Sequence, residues 1–433
     1  MRDKIAIVGG GISGLSTAYF ALHKGFDINL YECSDRLGGF ASSFDMAGVI
    51  IEKYYHFICR GDHHLIKLSN RLGIEHKIKF NASRTSFFYH GHYYPFSTPL
   101  DLIKFSPISL RSRLKFGQKF LSFRQIKAWE KLDRISGKEW LSKHIGEEAY
   151  EAIWDPLLKI KFGNHYDRIS AAWVWHRIFR VSTSRKTPLS NEKMGYFEGG
   201  SSTLISAVTK QIEQLGGSIH LNSRVSKITK TNRSFQLTLE SGQNVYSDRI
   251  VLAVPLPVAA GLLEELDPEF SLKISSIDFY GIVCGIFRLK EKVSDAFWLN
   301  INDSRIMANG LIEYTNLNPL EEINPHKIVY IPLYVPVDNE WFLMDEASLR
   351  DRFLSMLKIL KPSLSENCVV DFRVSKSPYA QPICPTGFKD KVPPLALPKY
   401  IVFLLDSTQI YPSDRALSAL VGLAEKLVDD HFN

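Results

Sequence analysis

The order of apolar and polar positions predicts short strands alternating with helices from the first residues onward. Lys4 to Val8 is an apolar run with the length of a fully buried strand, and Leu15, Ala18, Tyr19 and Leu22 recur behind it at helical spacing. A second apolar segment, Asp27 to Tyr31, follows. Ser42 to Ile51 is mixed, strand-like and polar. Asp62 stands where it would cap a helix from His63 to Arg71, with Leu65, Ile66, Leu68 and Leu72 inward and Gly73 at its end. Ile78, Phe80, Thr85 to Tyr89 and His92 to Tyr94 alternate as strands, with a turn at His90-Gly91.

Helical periodicity dominates the next hundred residues. Residues 101 to 131 carry Lys104, Arg111, Arg113, Lys115, Lys119, Arg124, Lys127 and Lys131 against only Asp101 and Glu130, interleaved with Phe, Leu, Ile and Trp. They predict one or two basic amphipathic helices, and three roles stay open: a solvated face, a membrane surface contact, or a cap whose basic side holds an anionic substrate. Helix continues from Ser136 to Tyr150 with Ser142 and Gly146 as boundary residues, Pro156 interrupts it, and Phe162-Gly163-Asn164 makes a turn. Ile169 to Ile178 is helical, and its Trp173 and Trp175 either line a pocket or fill the core. Arg180 to Lys193 is polar and loop-like, a candidate mobile segment.

A helix over residues 204–215 ends at Gly216-Gly217, and strands follow on either side of a turn at Ser241-Gly242. Further strands lie within Phe270 to Leu289 and Ile306 to Tyr334, and a helix over Glu346 to Leu360 precedes another strand near Val369. They predict an antiparallel sheet with the helical region 100–190 over one side. Residues 377–388, with three prolines, read as an extended crossing segment. Ile401 to Leu405 is a buried strand ending in Asp406, and Ser413 or Asp414 is placed to cap a last helix.

At 433 residues, two interleaved domains are the natural expectation. The five cysteines show no C-x-x-C spacing and read as reduced thiols in a cytosolic protein. No metal-ligand spacing links His56, His63 and His64. A first strand so near Met1 leaves no room for a signal peptide, and the apolar stretch Ile250 to Leu263 is too short to span a bilayer. The expected location is therefore the cytoplasm, with the cytoplasmic face of a membrane as the alternative. A net charge of +7 is a mild bias toward anionic partners, and no nucleic-acid module is present.

The chemistry starts at Gly9, Gly11 and Gly14, a G-x-G-x-x-G with a strand before it and a helix after it. The first glycine permits the tight turn, the second lets backbone approach a pyrophosphate, and the third lets helix pack on strand. Free N–H groups at the helix start hold the phosphate charge. Glu32, eighteen residues beyond Gly14, suits a ribose diol and is compatible with NAD or FAD. Arg36 with Gly38 and Gly39 forms a second glycine loop, either phosphate-binding or plain surface.

Four stretches together resemble the flavin-containing amine oxidase, protoporphyrinogen oxidase and phytoene desaturase superfamily. They are residues 9–25, the E-x-x-x-R-x-G-G spacing from Glu32 to Gly39, residues 198–228, and the closing segment from Leu404 through the last helix. The resemblance implies an α/β fold: a Rossmann-like FAD-binding domain, an interleaved mixed or antiparallel-sheet substrate domain, and a helical cap. It divides the chain into FAD-binding parts 1–75, 196–265 and 386–433 and substrate parts 76–195 and 266–385.

By position, the resemblance places Gly9, Gly11, Ile12, Ser13 and Gly14 at the FAD pyrophosphate, with Glu32 and its neighbour Cys33 at the adenosine ribose. Arg36, Gly38 and Gly39 fall by the phosphates or near the isoalloxazine, Val225 on the adenine side, Asp406 at the ribityl-phosphate portion, and Ala416 at the pyrimidine end. The sequence departs from the pattern at Leu405, usually glycine, and at Asp414-Arg415, where small residues are common.

The activity implied is hydride removal from a small organic substrate. His56 is the candidate base because imidazole titrates near neutrality. Tyr55 and Arg177 are candidates for positioning an anionic substrate, and Tyr379 for packing by the flavin. The Glu52, Tyr54, Tyr55, His56 string is also loosely similar to nucleotide-sugar mutases, which gives the rival reading of a reduced-flavin isomerase or mutase. A flavin-free binding protein is the third.

Overall fold

The computed structural model describes residues 3–183, 192–414 and 416–432. Its central sheet is five-stranded and wholly parallel, in the order Val402–Leu404, Arg249–Leu252, Lys4–Val8, Asp27–Tyr31, Ser218–His220. Parallel strands covered on both faces need continuous apolar runs, which is what Ile5, Ala6, Ile7 and Val8 supply; all four are buried. Helix Ile12–His23 covers one face and is flanked by helices Ser201–Gln214 and Leu417–His431. The first and last parts of the chain thus build one layer.

The second sheet is seven-stranded, in the order Val369–Pro382, Phe279–Leu289, Lys327–Val335, Gly310–Glu313, Trp298–Asn302, Thr85–Tyr89, His92–Pro95. Its pairs are antiparallel except Trp298–Asn302 with Thr85–Tyr89. Helix Glu346–Leu360 seals one face, where Phe353 lies over Gly285: a Cβ there would sit 2.7 Å from the ring. Helix Asp155–Phe162 packs on strands Lys327–Val335 and Trp298–Asn302 from the helical region, as expected from the sequence.

Several local expectations are corrected. Asp62 precedes helix His63–Arg71 without capping it; its carboxylate accepts from the Cys59 amide at 2.7 Å. Ile78–Ala82 pairs with Lys193–Phe197 and not with the hairpin that follows it. Ser142 lies inside helix Gly137–Ile145, and Gly146 alone marks its end. Pro156 starts a helix, Asp155–Phe162, because a proline in the first turn forfeits no helical hydrogen bond. Residues 270–275 are helical, within Pro268–Ser275, and the beginning of the supposed crossing segment is strand, Gln381 and Pro382 pairing with Tyr280 and Phe279. Asp414 does not cap helix Leu417–His431, whose cap position is Ala416. Of the segment Arg180 to Lys193, residues 184–191 lie outside the described residues; Arg180 is still in helix Ala171–Thr183 and Lys193 begins a strand.

Candidate functional site

Strand Lys4–Val8 delivers the chain to Gly9, whose φ of +107° favours glycine, and the Gly9 amide donates to the Tyr31 carbonyl at 2.8 Å. A Cβ on Gly9 would lie 2.4 Å from the Ala253 carbonyl oxygen, and one on Gly14 only 1.9 Å from the Gly9 carbonyl oxygen. Those two glycines are demanded by packing. Gly11 is different: a Cβ there would meet nothing nearer than the Gly39 Cα at 4.0 Å. The protein's own atoms do not require that glycine, so its bareness fits a group the chain does not supply. Helix Ile12–His23 begins just there with no side-chain cap and no acid in its first turn, leaving the Ile12 and Ser13 end of the helix without a capping carboxylate.

The second glycine loop is stitched directly to the first. The Gly38 amide donates to the Gly10 carbonyl at 2.8 Å, and a Cβ on Gly39 would lie 3.2 Å from the Gly11 Cα. Glu32 fastens the same corner: one carboxylate oxygen accepts from the Gly10 amide at 2.7 Å, the other from the Ser34 amide at 2.9 Å and hydroxyl at 2.7 Å. The Cys33 thiol also faces Glu32, at 3.3 Å, and burial together with that carboxylate pushes its pKa up. Arg36 is occupied in the loop itself, donating to the Ser43 carbonyl at 3.0 Å. Val225 is buried at the start of strand Val225–Lys230, two residues after Ser223, whose amide donates to the Glu32 carbonyl at 2.8 Å.

Asp406, at the end of strand Val402–Leu404, is buried and caps the short turn Ser407–Ile410 by accepting from the Thr408 amide at 2.8 Å. Burial pushes its carboxyl pKa up against those amide contacts. Beside this turn is a pocket of about 240 Å³ whose walls include Trp173, Gln381, Thr408, Tyr411 and Asp414. Among the described residues Gln381 Oε1 has no hydrogen-bond partner, although it is buried. Ala416 introduces the last helix, which has no side-chain cap; Ser418 in its first turn accepts from the Leu65 amide at 3.2 Å.

A second, half-open pocket shares Trp173 with the first and adds Trp154, Trp298, Lys161, Arg177 and Asn300. Arg177 donates to Asp414 at 3.0 Å, and Lys161 approaches the same carboxylate at 3.8 Å. Lys161 lies within reach of the faces of Trp173 (4.7 Å) and Tyr334 (5.2 Å), and Arg177 lies 5.7 Å from the Trp298 ring. Asp414 thus joins the two pockets electrostatically. His176, on the Arg177 helix, is pushed down to about 4 by burial and by Arg180, so near neutrality it adds no charge.

Two of the four predicted catalytic residues, Tyr55 and Arg177, meet here on Trp298. Tyr55 packs edge-on to Trp298 at 5.5 Å and to Tyr330 at 6.0 Å, so Tyr55 and Arg177 share Trp298. His56 Nδ1 faces Glu52 at 3.7 Å. Glu52 in turn is held by the Ser201 amide at 2.9 Å, the Ser201 hydroxyl and the Tyr314 hydroxyl at 2.9 Å, while Tyr330 donates to its carbonyl at 2.9 Å. Ser201 opens helix Ser201–Gln214 after two glycines with positive φ, so the carboxylate sits at a helix N-terminus. Tyr379 is placed elsewhere, edge-on to Phe279 at 6.2 Å on the seven-stranded sheet.

Sequence reasoning missed Lys161, Trp298, Ser201 and Tyr314. Lys161 carried a signal: Leu158, Lys161 and Phe162 form one buried stripe, and a lysine on such a stripe needs a partner. Nothing local marks Trp298, which reaches the site through sheet pairing with Ile312 and Thr85.

The chain belongs to the flavin-containing amine oxidoreductase family, whose model matches residues 12–400. It is similar to the coproporphyrinogen III oxidase of Bacillus subtilis (strain 168), 24% identical over 63% of this chain and 64% of the relative. The match spans about half to just under two thirds of the length of the first curated relatives. A putative protoporphyrinogen oxidase from Exiguobacterium sp. 255-15 shares the fold, with TM-score 0.76 at 18% identity over 99% of this chain and 98% of that one. So does a reduced UDP-galactopyranose mutase, with TM-score 0.76 at 13% identity over 99% and 95%.

Proposed function

We propose that the protein binds FAD along the two glycine loops and oxidises an anionic organic substrate seated against Trp298. The observation that carries the reading is the placement of Arg177 and Lys161 on one tryptophan-walled pocket, with Tyr55 packed on its Trp298 and the buried Gln381 Oε1 unpartnered in the adjoining pocket. Gly9, Gly11, Ile12, Ser13 and Gly14 would form the seat of the pyrophosphate, with Gly38 and Gly39 beside it. Glu32, with Cys33 and Val225 beside it, holds the adenosine end. Asp406, Thr408 and the helix start after Ala416 hold the other end. Bound FAD supplies a two-electron hydride acceptor.

The chain's own residues do the rest. Arg177 and Lys161 receive the substrate's negative group, exchanging part of their contact with Asp414 for it. The tryptophans exclude water and fix an extended or ring-shaped body. Where oxidation also releases a proton, His56 accepts it, its ring oriented by Glu52, which Ser201 and Tyr314 lock in place. Anaerobic mixing with coproporphyrinogen III, polyenes and amines should bleach the visible flavin band with at least one anionic or conjugated compound. Loss of that bleaching in Arg177→Met, with flavin content unchanged, is the expected control; bleaching indifferent to Arg177 sinks the assignment.

Two cations in one pocket also suit a diphosphate, which favours a second reading as a reduced-flavin isomerase of a nucleotide-linked sugar. Product formed from a nucleotide sugar only after dithionite reduction, without net flavin bleaching, selects that reading.

A further inference from the structure

We propose that the helical hairpin Pro99–Lys104 and Leu110–Phe123 docks on the surface of an anionic lipid bilayer. Among the described residues, five of the seventeen large apolar side chains standing in solvent fall in this one stretch: Leu100, Ile103, Leu110, Leu114 and Leu121, each 45–65% exposed. Leu110, Leu114 and Leu121 recur at helical spacing along one face of the second helix, while Phe116 and Phe123 on its other face are buried. Solvent-facing leucines gathered this way mark a contact surface, unlike the single exposed Leu272 and Leu343 elsewhere.

Charge decides the occupant. Lys104, Arg111, Lys115 and Lys127 are exposed around the leucines, with Lys119 and Arg124 half-buried at their edge. Arg113 is excluded, because its guanidinium is spent on the Ile103 and Ile108 carbonyls within the hairpin. The acids nearby keep their charge but are outnumbered: Asp101 forms the capping box with Thr98, and Glu148 accepts from Ser109 and Ser112. Glu147 is exposed on the adjoining turn, its carboxylate taken by Ser142 at 3.0 Å. Leucines ringed by lysine and arginine fit the boundary between acyl chains and anionic headgroups. No described helix is long and apolar enough to cross a membrane, so the contact is interfacial.

The same helix connects inward. Trp175 Nε1 donates to the Phe123 carbonyl at 2.8 Å, and Trp175 is two residues from Arg177 on helix Ala171–Thr183. The hairpin is thereby tied to the helix that carries Arg177.

The test is co-sedimentation of the full chain with vesicles of phosphatidylglycerol and of phosphatidylcholine. Binding to phosphatidylglycerol that weakens with added salt is expected. Leu110→Ser with Leu114→Ser should lower the partition by about tenfold or more, since an inserted leucine is worth a factor of that order. Arg111→Gln with Lys115→Gln should lower it about fivefold per charge. Thermal melts of both variants show whether they remain folded; their sites are exposed, and unchanged melting is expected. Absence of binding, equal binding to both vesicles, or a concentration-dependent dimer dissolved by the leucine substitutions overturns the proposal.

Discussion

The glycine seat takes most of its geometry from residues 4 to 39, one βαβ corner backed by Ala253, whereas the pocket around Trp298 is assembled from residues 154–161, 173–177, 298–300 and 309, with Asp414 paired to its Arg177. In the first, backbone does the work: amides and bare Cα atoms define the surface, and Glu32 merely clamps it. In the second, side chains do the work, and two helices and a strand distant in sequence supply most of them. A seat made of backbone is sensitive to one methyl group. A pocket made of side chains from several elements is sensitive to charge and tolerant of small changes in shape.

Two alanines in the same loop give the largest test. Gly14→Ala places a Cβ 1.9 Å from the Gly9 carbonyl oxygen, and backbone cannot yield that far without parting helix from strand. A loss of at least about 3 kcal/mol is expected, seen as insoluble protein or a collapsed melting temperature. Gly11→Ala meets only open space inside the protein, so its cost is the weaker cap preference of alanine, about 1 kcal/mol. It should fold and yet lose flavin. Equal stability loss in the two variants would erase the distinction between packing glycines and the ligand-facing one.

That distinction also explains what could be read in advance. Strand Lys4–Val8, helix Ile12–His23 and strand Asp27–Tyr31 follow from local apolar period and glycine spacing, because the turn contacts among Gly9, Gly10, Gly14, Tyr31, Glu32 and Gly38 join residues close in sequence. Asp414 was legible only as a helix cap, since its true partners, Lys161 and Arg177, lie more than two hundred residues earlier. Pro156 was legible as a breaker because sequence alone does not tell whether a proline sits mid-helix or at a first turn. Glu52, Tyr54, Tyr55 and His56 stand out in the sequence as one string, but Ser201 and Tyr314, which lock Glu52, are brought in by tertiary packing.

A pH profile would sharpen the comparison only after Glu313 is accounted for, since it lies on the seven-stranded sheet. Glu313 is buried, accepts from the Val293 and Ser294 amides at 2.9 and 3.1 Å, and burial pushes its carboxyl up to about 7 from 4.5. A folded-state pKa above the unfolded one means the folded protein holds the proton more tightly. Its stabilising contribution is complete below pH 4.5, shrinks as pH rises to about 7, and is then level. The fall amounts to about 3 kcal/mol. Chemical denaturation of Glu313→Gln across this window should lack that slope; a slope unchanged from the natural chain assigns the titration elsewhere.

The smallest expected effect separates the pocket from its surroundings. Tyr379 touches Phe279 through the edge of its ring, at 6.2 Å, while Tyr55 and Arg177 meet on Trp298. Tyr379→Phe keeps that ring and should shift stability by less than about 0.5 kcal/mol, the range of substitutions that break no buried network. Substrate-driven flavin bleaching should likewise change less than twofold, which is the same order of free energy. Asp414→Asn is the contrasting variant, because it removes the charge 3.0 Å from Arg177 and 3.8 Å from the buried Lys161. It should cost about 2 kcal/mol and leave flavin content intact. If Tyr379→Phe slows bleaching as much as Asp414→Asn does, the reacting site extends across the seven-stranded sheet, and the boundary drawn around Trp298 is in the wrong place.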